Sequence, residues 1–317
     1  MAFIKTISIF GDHELIIYQK NDSDGRIKSM LSVVPAMGAN IIHLALKGEQ
    51  LIDGHADAES LQNRDAFKSE ILAPFPNRLS AGTFSYHGNR YTFPINDLSH
   101  GNALHGFMND AKFEIIEEDL SENLFLKLKH SYNQRHSYFP FNFELIVIYS
   151  LCEDKFAIEF DVKNTGQNRL PIGLGWHPYF LINEDAGIES CALKEIVTDE
   201  KMIPNGESKS IKFESQLLKT LVLDTTYKIS DPSDGFVLKI QRKLEPSKVL
   251  QLSFYNEYAK TAFEYLQLYH PPNSRSIAVE PMTCNVDALN NKEGLLELEP
   301  REVKKFNFFI QAELIQV

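Results

Sequence analysis

Phe141-Asn142-Phe143-Glu144-Leu145-Ile146-Val147-Ile148-Tyr149-Ser150-Leu151, then Glu153-Asp154-Lys155, then Phe156-Ala157-Ile158-Glu159-Phe160-Asp161-Val162, is the stretch that decides the fold. In its second run, Phe156, Ile158, Phe160 and Val162 alternate with Ala157, Glu159 and Asp161. That period of two puts one set of side chains on a core face of a sheet and the other set on the opposite face. The first run is apolar on both faces in its second half, as expected of a strand held between two layers. The turn residues between them join the runs as a hairpin. Working outward, Leu124, Leu126 and Leu128 alternate with Phe125, Lys127 and Lys129, and residues 306–310 form another apolar run. His87-Gly88-Asn89-Arg90 between Tyr86 and Tyr91 marks a second hairpin. Helical periodicity is confined to residues 57–72 and, weakly, 287–295. Repeated βαβ units and a Rossmann-type sheet are therefore not expected. The prediction is an all-β fold: a large, mostly antiparallel β-sandwich with few short helices. No linker, low-complexity tract or fixed-period repeat divides the chain, so a single domain over residues 1–317 is expected.

The chain has 317 residues, 32 Lys and Arg against 43 Asp and Glu, and a net charge of −11. Scattered basic residues in an acidic chain disfavour nucleic acid and anionic membrane surfaces, which demand a clustered positive footprint. The longest apolar stretches, such as residues 145–151, fall far short of the ~18–20 residues that span a bilayer. The N-terminal run is broken by Asp12 and Glu14 before a signal-peptide core can form. Three widely spaced cysteines, Cys152, Cys191 and Cys284, make no C-x-x-C pair and point to a reduced compartment. A cytoplasmic protein with a small, neutral partner is the expectation.

Signatures for phosphate loops, dinucleotide binding, zinc proteolysis and the hydrolase nucleophile elbow are missing. Four other segments place a titratable or hydrogen-bonding side chain beside Gly, Pro and aromatic residues, the composition of a rigid ligand-sized pocket. In Ala73-Pro74-Phe75-Pro76-Asn77-Arg78 the prolines stiffen the backbone that presents Asn77 and Arg78. The guanidinium fork suits a carboxylate, a phosphate or sugar hydroxyls, and equally a structural salt bridge. His105 lies in Leu104-His105-Gly106-Phe107, and His177 in Gly175-Trp176-His177-Pro178-Tyr179-Phe180. Either histidine alone reads as readily as a hydrogen-bonded core group. Glu280 ends the apolar run Ser276-Ile277-Ala278-Val279 and is stopped by Pro281. A carboxylate there either meets a cation, with Arg78 as the candidate, or accepts protons with a tuned pKa. Asp224 reads as a ligand or as a turn residue.

In order along the chain, the Asn-Arg, Leu-His-Gly, His-Pro-Tyr-Phe and Glu-Pro segments resemble the aldose 1-epimerase (mutarotase) family. Gly82-Thr83-Phe84, Asn164-Thr165-Gly166 and Leu298-Glu299-Pro300-Arg301-Glu302 extend the resemblance over nearly the whole chain. It implies a galactose mutarotase-like β-sandwich that interconverts the α and β anomers of a free aldose without a cofactor. By similarity Glu280 is the base, His177 as imidazolium the acid, and His105 a hydrogen-bonding partner, with acid and base facing one another across the sugar. Arg78, Asn77 and Asp224 would grip hydroxyls, and Trp176 or Phe180 would support the apolar side of the ring. No metal is implied, because the histidines lack ligand spacing.

Phe107 stands where galactose-active members usually carry a second glycine. A hexose-6-phosphate epimerase and a non-catalytic carbohydrate-binding protein are the alternatives. A glycosidase would need a second well-placed carboxylate.

Overall fold

The computed structural model describes residues 2–231, 236–256, 263–272 and 274–316. Three antiparallel sheets dominate. The largest has nine strands: Glu114–Asp119, Leu124–Tyr132, Phe143–Leu151, Lys155–Asn164, Val303–Gln316, Lys248–Tyr255, Leu238–Glu245, Gly187–Ser190 and Gln216–Leu217, in spatial order. The second runs Pro204–Ile211, Ala192–Thr198, Leu223–Asp231, Tyr265–His270, Ser276–Met282, Gly175–Trp176 and Ile71–Leu72, with Tyr179–Leu181 also paired to Ser276–Met282. An N-terminal five-stranded sheet spans Ile4–Phe10 to Glu49–Gln50.

The sequence period explains this. Along Leu124–Tyr132, Leu124, Leu126 and Leu128 are buried while Phe125, Lys127 and Lys129 are half-exposed. Phe143–Leu151 buries Val147, Ile148 and Tyr149 in succession, as its two-faced apolar composition requires. The two large sheets meet through aromatic side chains. Phe156 packs on Trp176 with ring centroids 5.8 Å apart, and Phe254 packs edge-on against Phe180 at 4.9 Å. Each fully buried side chain of this size contributes roughly 1.5–3 kcal/mol of transfer free energy. Both predicted hairpins form. Tyr86 pairs with Asn89 across a two-residue turn in which His87 and Gly88 have φ of 47° and 78°, the left-handed pair a tight hairpin needs. The three cysteines are free thiols.

The helical expectation is corrected in extent. Residues 57–72 contain one short helix, Ala58–Gln62, capped by the Asp57 carboxylate, which accepts from the Ser60 N–H at 2.8 Å. Beyond it Arg64, Ala66, Phe67 and Ser69 adopt positive φ, and the segment ends as the strand Ile71–Leu72. The apolar spacing mimics a helix, but tertiary bonds to the neighbouring strands decide the backbone. Residues 287–295 likewise hold only Ala288–Asn291, ended by left-handed Lys292.

Gly106 illustrates how tightly the loops over the second sheet are laid. A Cβ there would lie 2.0 Å from the Ala73 carbonyl oxygen, whereas one at Gly88, also at positive φ, would meet nothing within 4 Å. Gly106→Ala should therefore cost roughly 3 kcal/mol or more in denaturant unfolding, against about 1 kcal/mol for Gly88→Ala. Equal losses would contradict the packing described.

Candidate active site

Strand register builds the site. Gly175 pairs with Met282 and Tyr179 with Ala278, so the intervening His177 is brought to the level of Glu280. Its Nε2 lies 3.3 Å from Glu280 Oε1. The same logic operates on the other wall. Leu104 pairs with Arg78, and the next residues bond reciprocally: His105 N–H donates to Asn77 O at 3.0 Å, and Asn77 N–H donates to His105 Nδ1 at 3.1 Å. The two imidazoles meet edge to face with centroids 5.0 Å apart. Residues as far apart in sequence as Asn77 and Glu280 thus converge because paired strands, or the residues that flank them, carry them.

These side chains line a cavity of about 350 Å³ with Asn77, Arg78, Asp97, His100, Asp224, Gln267 and others. That is within the range of about 300–1,000 Å³ common for small-molecule sites. Arg78 does not pair with Glu280. Its Nε donates to Asp97 Oδ2 at 2.9 Å, so the expected ion pair exists with a different acid. Burial alone would raise the Asp97 carboxyl, but bonds from His100, Ser99 and Arg78 outweigh it and hold the group at about 2. Gln267, the cross-strand partner of Glu280, organises the floor. Its amide donates to Asp224 Oδ1 at 2.9 Å, and its carbonyl accepts from Asn77 Nδ2 at 3.2 Å and from the Thr226 hydroxyl.

His105, His177 and Glu280 are 5%, 4% and 2% exposed. Burial pushes Glu280 well above the usual carboxylate range, with Asp224 adding to the shift and Arg78 opposing it. Burial also lowers His177 to about 3 and holds His105 well below its ordinary value, the latter with help from His177, Arg64 and Arg78. Desolvation therefore favours a neutral imidazole beside a protonated carboxyl. The acid role implied for His177 is that of an imidazolium, with the proton on the other partner. The two descriptions hold the same number of protons, so the difference is which partner carries the mobile one.

A correction concerns placement. His177 and Glu280 stand side by side, not on opposite sides of a ring-sized gap. Trp176 and Phe180, nominated as sugar platforms, are fully buried and point into the core between the sheets. Tyr179 and Phe67 line the cavity instead. Period two held the missing signal: His177 and Tyr179 share one face, and their rings stack at 5.2 Å, while Trp176 and Phe180 share the other. Asp97 and Gln267 carried no local motif.

His105, His177 and Glu280 present atoms within 4.8 Å of one another, a grouping able to approach a cation. The tautomer argues against that use. Asn77 N–H occupies the lone pair of His105 Nδ1, so the neutral ring bears its proton on Nε2 and offers the cavity a donor.

The aldose 1-epimerase family model matches residues 26–311, and the chain belongs to that family. An uncharacterized Escherichia coli K12 protein, YihR, is 26% identical over 295 residues, covering 89% of this chain and 90% of its own. A galactose mutarotase-like protein from Clostridium acetobutylicum superposes with a TM-score of 0.83 at 17% identity, covering 100% and 99% of the two chains. A galactose 1-epimerase from Lactobacillus acidophilus does so with a TM-score of 0.71 at 16% identity, covering 99% and 98%. Among the described residues no helix is long and apolar enough to cross a membrane.

The depressed Asp97 carboxyl gives a stability test. Its folded pKa of about 2 lies below the ordinary 3.8. The stabilisation is therefore complete above about pH 4 and lost as pH falls through 2, amounting to on the order of 2 kcal/mol. Asp97→Asn should lack this component at neutral pH and show a correspondingly flatter acid limb in unfolding experiments. An unchanged limb would separate Asp97 from the Arg78 network.

Proposed function

We propose that the protein is an aldose 1-epimerase acting on a free, uncharged aldose. The contact between His177 and Glu280 carries this reading. Ring opening removes the proton from the anomeric hydroxyl and delivers one to the ring oxygen. The bond from C1 to the ring oxygen breaks as the carbonyl forms. Both oxygens are bonded to the same carbon, so the base and acid that serve them should be neighbours, as this pair is. With the mobile proton on His177, Glu280 as base and His177 as acid complete the opening; with it on Glu280 the two roles are swapped, and in either case rotation about the C1–C2 bond then presents the other carbonyl face. Reclosure returns the two protons with the roles exchanged. Since each half-reaction reverses acid and base, either location of the mobile proton starts a full cycle. His105 Nε2–H would donate to the oxygen that gains negative charge, and Arg78, Asn77 and Asp224 would hold ring hydroxyls.

The surroundings favour a neutral sugar over a hexose 6-phosphate. Arg78 is the one Lys or Arg among the described cavity-lining residues, and it is already engaged by Asp97. The carboxylates of Asp97 and Asp224 would meet a phosphate dianion unfavourably.

Polarimetry on freshly dissolved α-glucose and α-galactose should show acceleration that EDTA leaves unchanged. Glu280→Gln should lower kcat/KM by about 10² or more. Glucose 6-phosphate should be the poorer substrate. A protein that binds sugar without speeding anomerisation, with Glu280→Gln altering affinity alone, would be a carbohydrate-binding module instead. The pH profile is a separate check. Because burial holds His177 near 3, kcat/KM should not fall as pH drops through 6.5, and the acid limb should appear below about pH 4. Half the rate lost near pH 6.5 would contradict the buried pair.

A further inference from the structure

The segment 64–69 forms a cavity wall that the proton-transfer roles leave unexplained. Arg64, Ala66, Phe67 and Ser69 all have positive φ, between 54° and 58°, a backbone region that L-residues with side chains disfavour. Such a run persists only where surrounding bonds dictate it. Here they do. Arg64 Nε and Nη2 donate to the two oxygens of buried Glu70 at 2.9 and 2.8 Å. Asn40 Nδ2 donates to Lys68 O at 2.8 Å, and Ser69 N–H to His177 O at 2.8 Å. His177 N–H in turn donates to Glu70 O at 3.0 Å.

The result of this buttressing is one ring in one place. Phe67 is held between the Arg64 guanidinium, 5.0 Å from its centroid, and the His105 ring at 4.8 Å, with the His177 ring at 6.2 Å. It is half-buried and lines the cavity. Tyr179, by contrast, is 2% exposed and stacked on His177, and Tyr269 lies on the strand opposite Asp224. Phe67 is the one phenylalanine among the described residues that line the cavity.

We infer that Phe67 is the platform on which the apolar C–H face of the sugar ring lies, and a specificity-determining residue for this site. The inference rests on the sugar-binding reading of the cavity. A flat ring fixed at this height favours a pyranose with hydroxyls directed away from one face and excludes water from the two imidazoles. The charged and titratable groups around His177 and Glu280 are the Arg64–Glu70 pair, Arg78, Asp97, His100, His105, Asp224, Tyr179 and Tyr269. None replaces the apolar cover that Phe67 supplies.

Kinetics of Phe67→Tyr, Phe67→Leu and Phe67→Ala, each with a thermal melt, test this. Phe67→Tyr keeps the platform and should stay within about threefold of the wild type, whereas Phe67→Leu and Phe67→Ala should raise KM about tenfold or more with a smaller fall in kcat. In Phe67→Ala the acid limb of kcat/KM should also move up toward 6.5 as water reaches His177. Phe67→Leu keeps most of the volume, so it decides the matter if the alanine variant does not fold. Unchanged KM in folded Phe67→Leu overturns the inference. If the wild type fails to accelerate anomerisation, the proposed function falls, and glucose binding by saturation-transfer NMR takes over as the readout. Binding lost in Phe67→Leu supports the platform, and equal binding, or none in the wild type, overturns it.

Discussion

Two titratable groups in contact and away from water are the constraint on which this site turns. A buried carboxyl and a buried imidazole each resist carrying charge, so desolvation drives both toward their neutral forms. Contact at 3.3 Å gives the pair one mobile proton to place between them. A reaction that takes a proton from one oxygen and gives one to another on the same carbon matches that inventory, and it leaves the pair ready for the reverse step.

The sandwich supplies the rigidity this requires. Ser276–Met282, which carries Glu280, is buried along its whole length and paired on both sides. His177 is tied through its own backbone to Ser69 and Glu70 and through its neighbours to the same strand as Glu280. Gln267 links Asp224 to Asn77, and Asn77 occupies His105, so the groups proposed to grip a sugar are continuous with those proposed to act on it. Arg78 is aimed by Asp97 and does not neutralise Glu280. The acid thereby keeps its raised affinity for a proton.

Much of the architecture was legible because period-two patterning is a direct record of which face each side chain takes. The hairpins at 87–88 and 152–155 and the strands around residues 124–162 follow from it. Arg78, His105, His177, Glu280 and Asp224 were legible as candidates through residue type in Gly- and Pro-rich surroundings, and the structure brings all five into one cavity. Asp97 and Gln267 were not legible, because the ion pair of Asp97 with Arg78 and the cross-strand position of Gln267 opposite Glu280 are tertiary contacts that no local pattern encodes. Trp176 and Phe180 were misassigned by weighing aromatic character above strand parity. The helix expected at 57–72 failed where the bonds to Asn40, Glu70 and His177 override local propensity.

A crystal structure of the protein soaked with a slowly turned-over aldose tests the central geometry most directly. The anomeric and ring oxygens should lie within hydrogen-bond reach of Glu280 and His177 Nε2, one on each, with C1 between them. A sugar bound with its anomeric carbon turned away from the pair, or held at another surface with this cavity vacant, would contradict the mechanism.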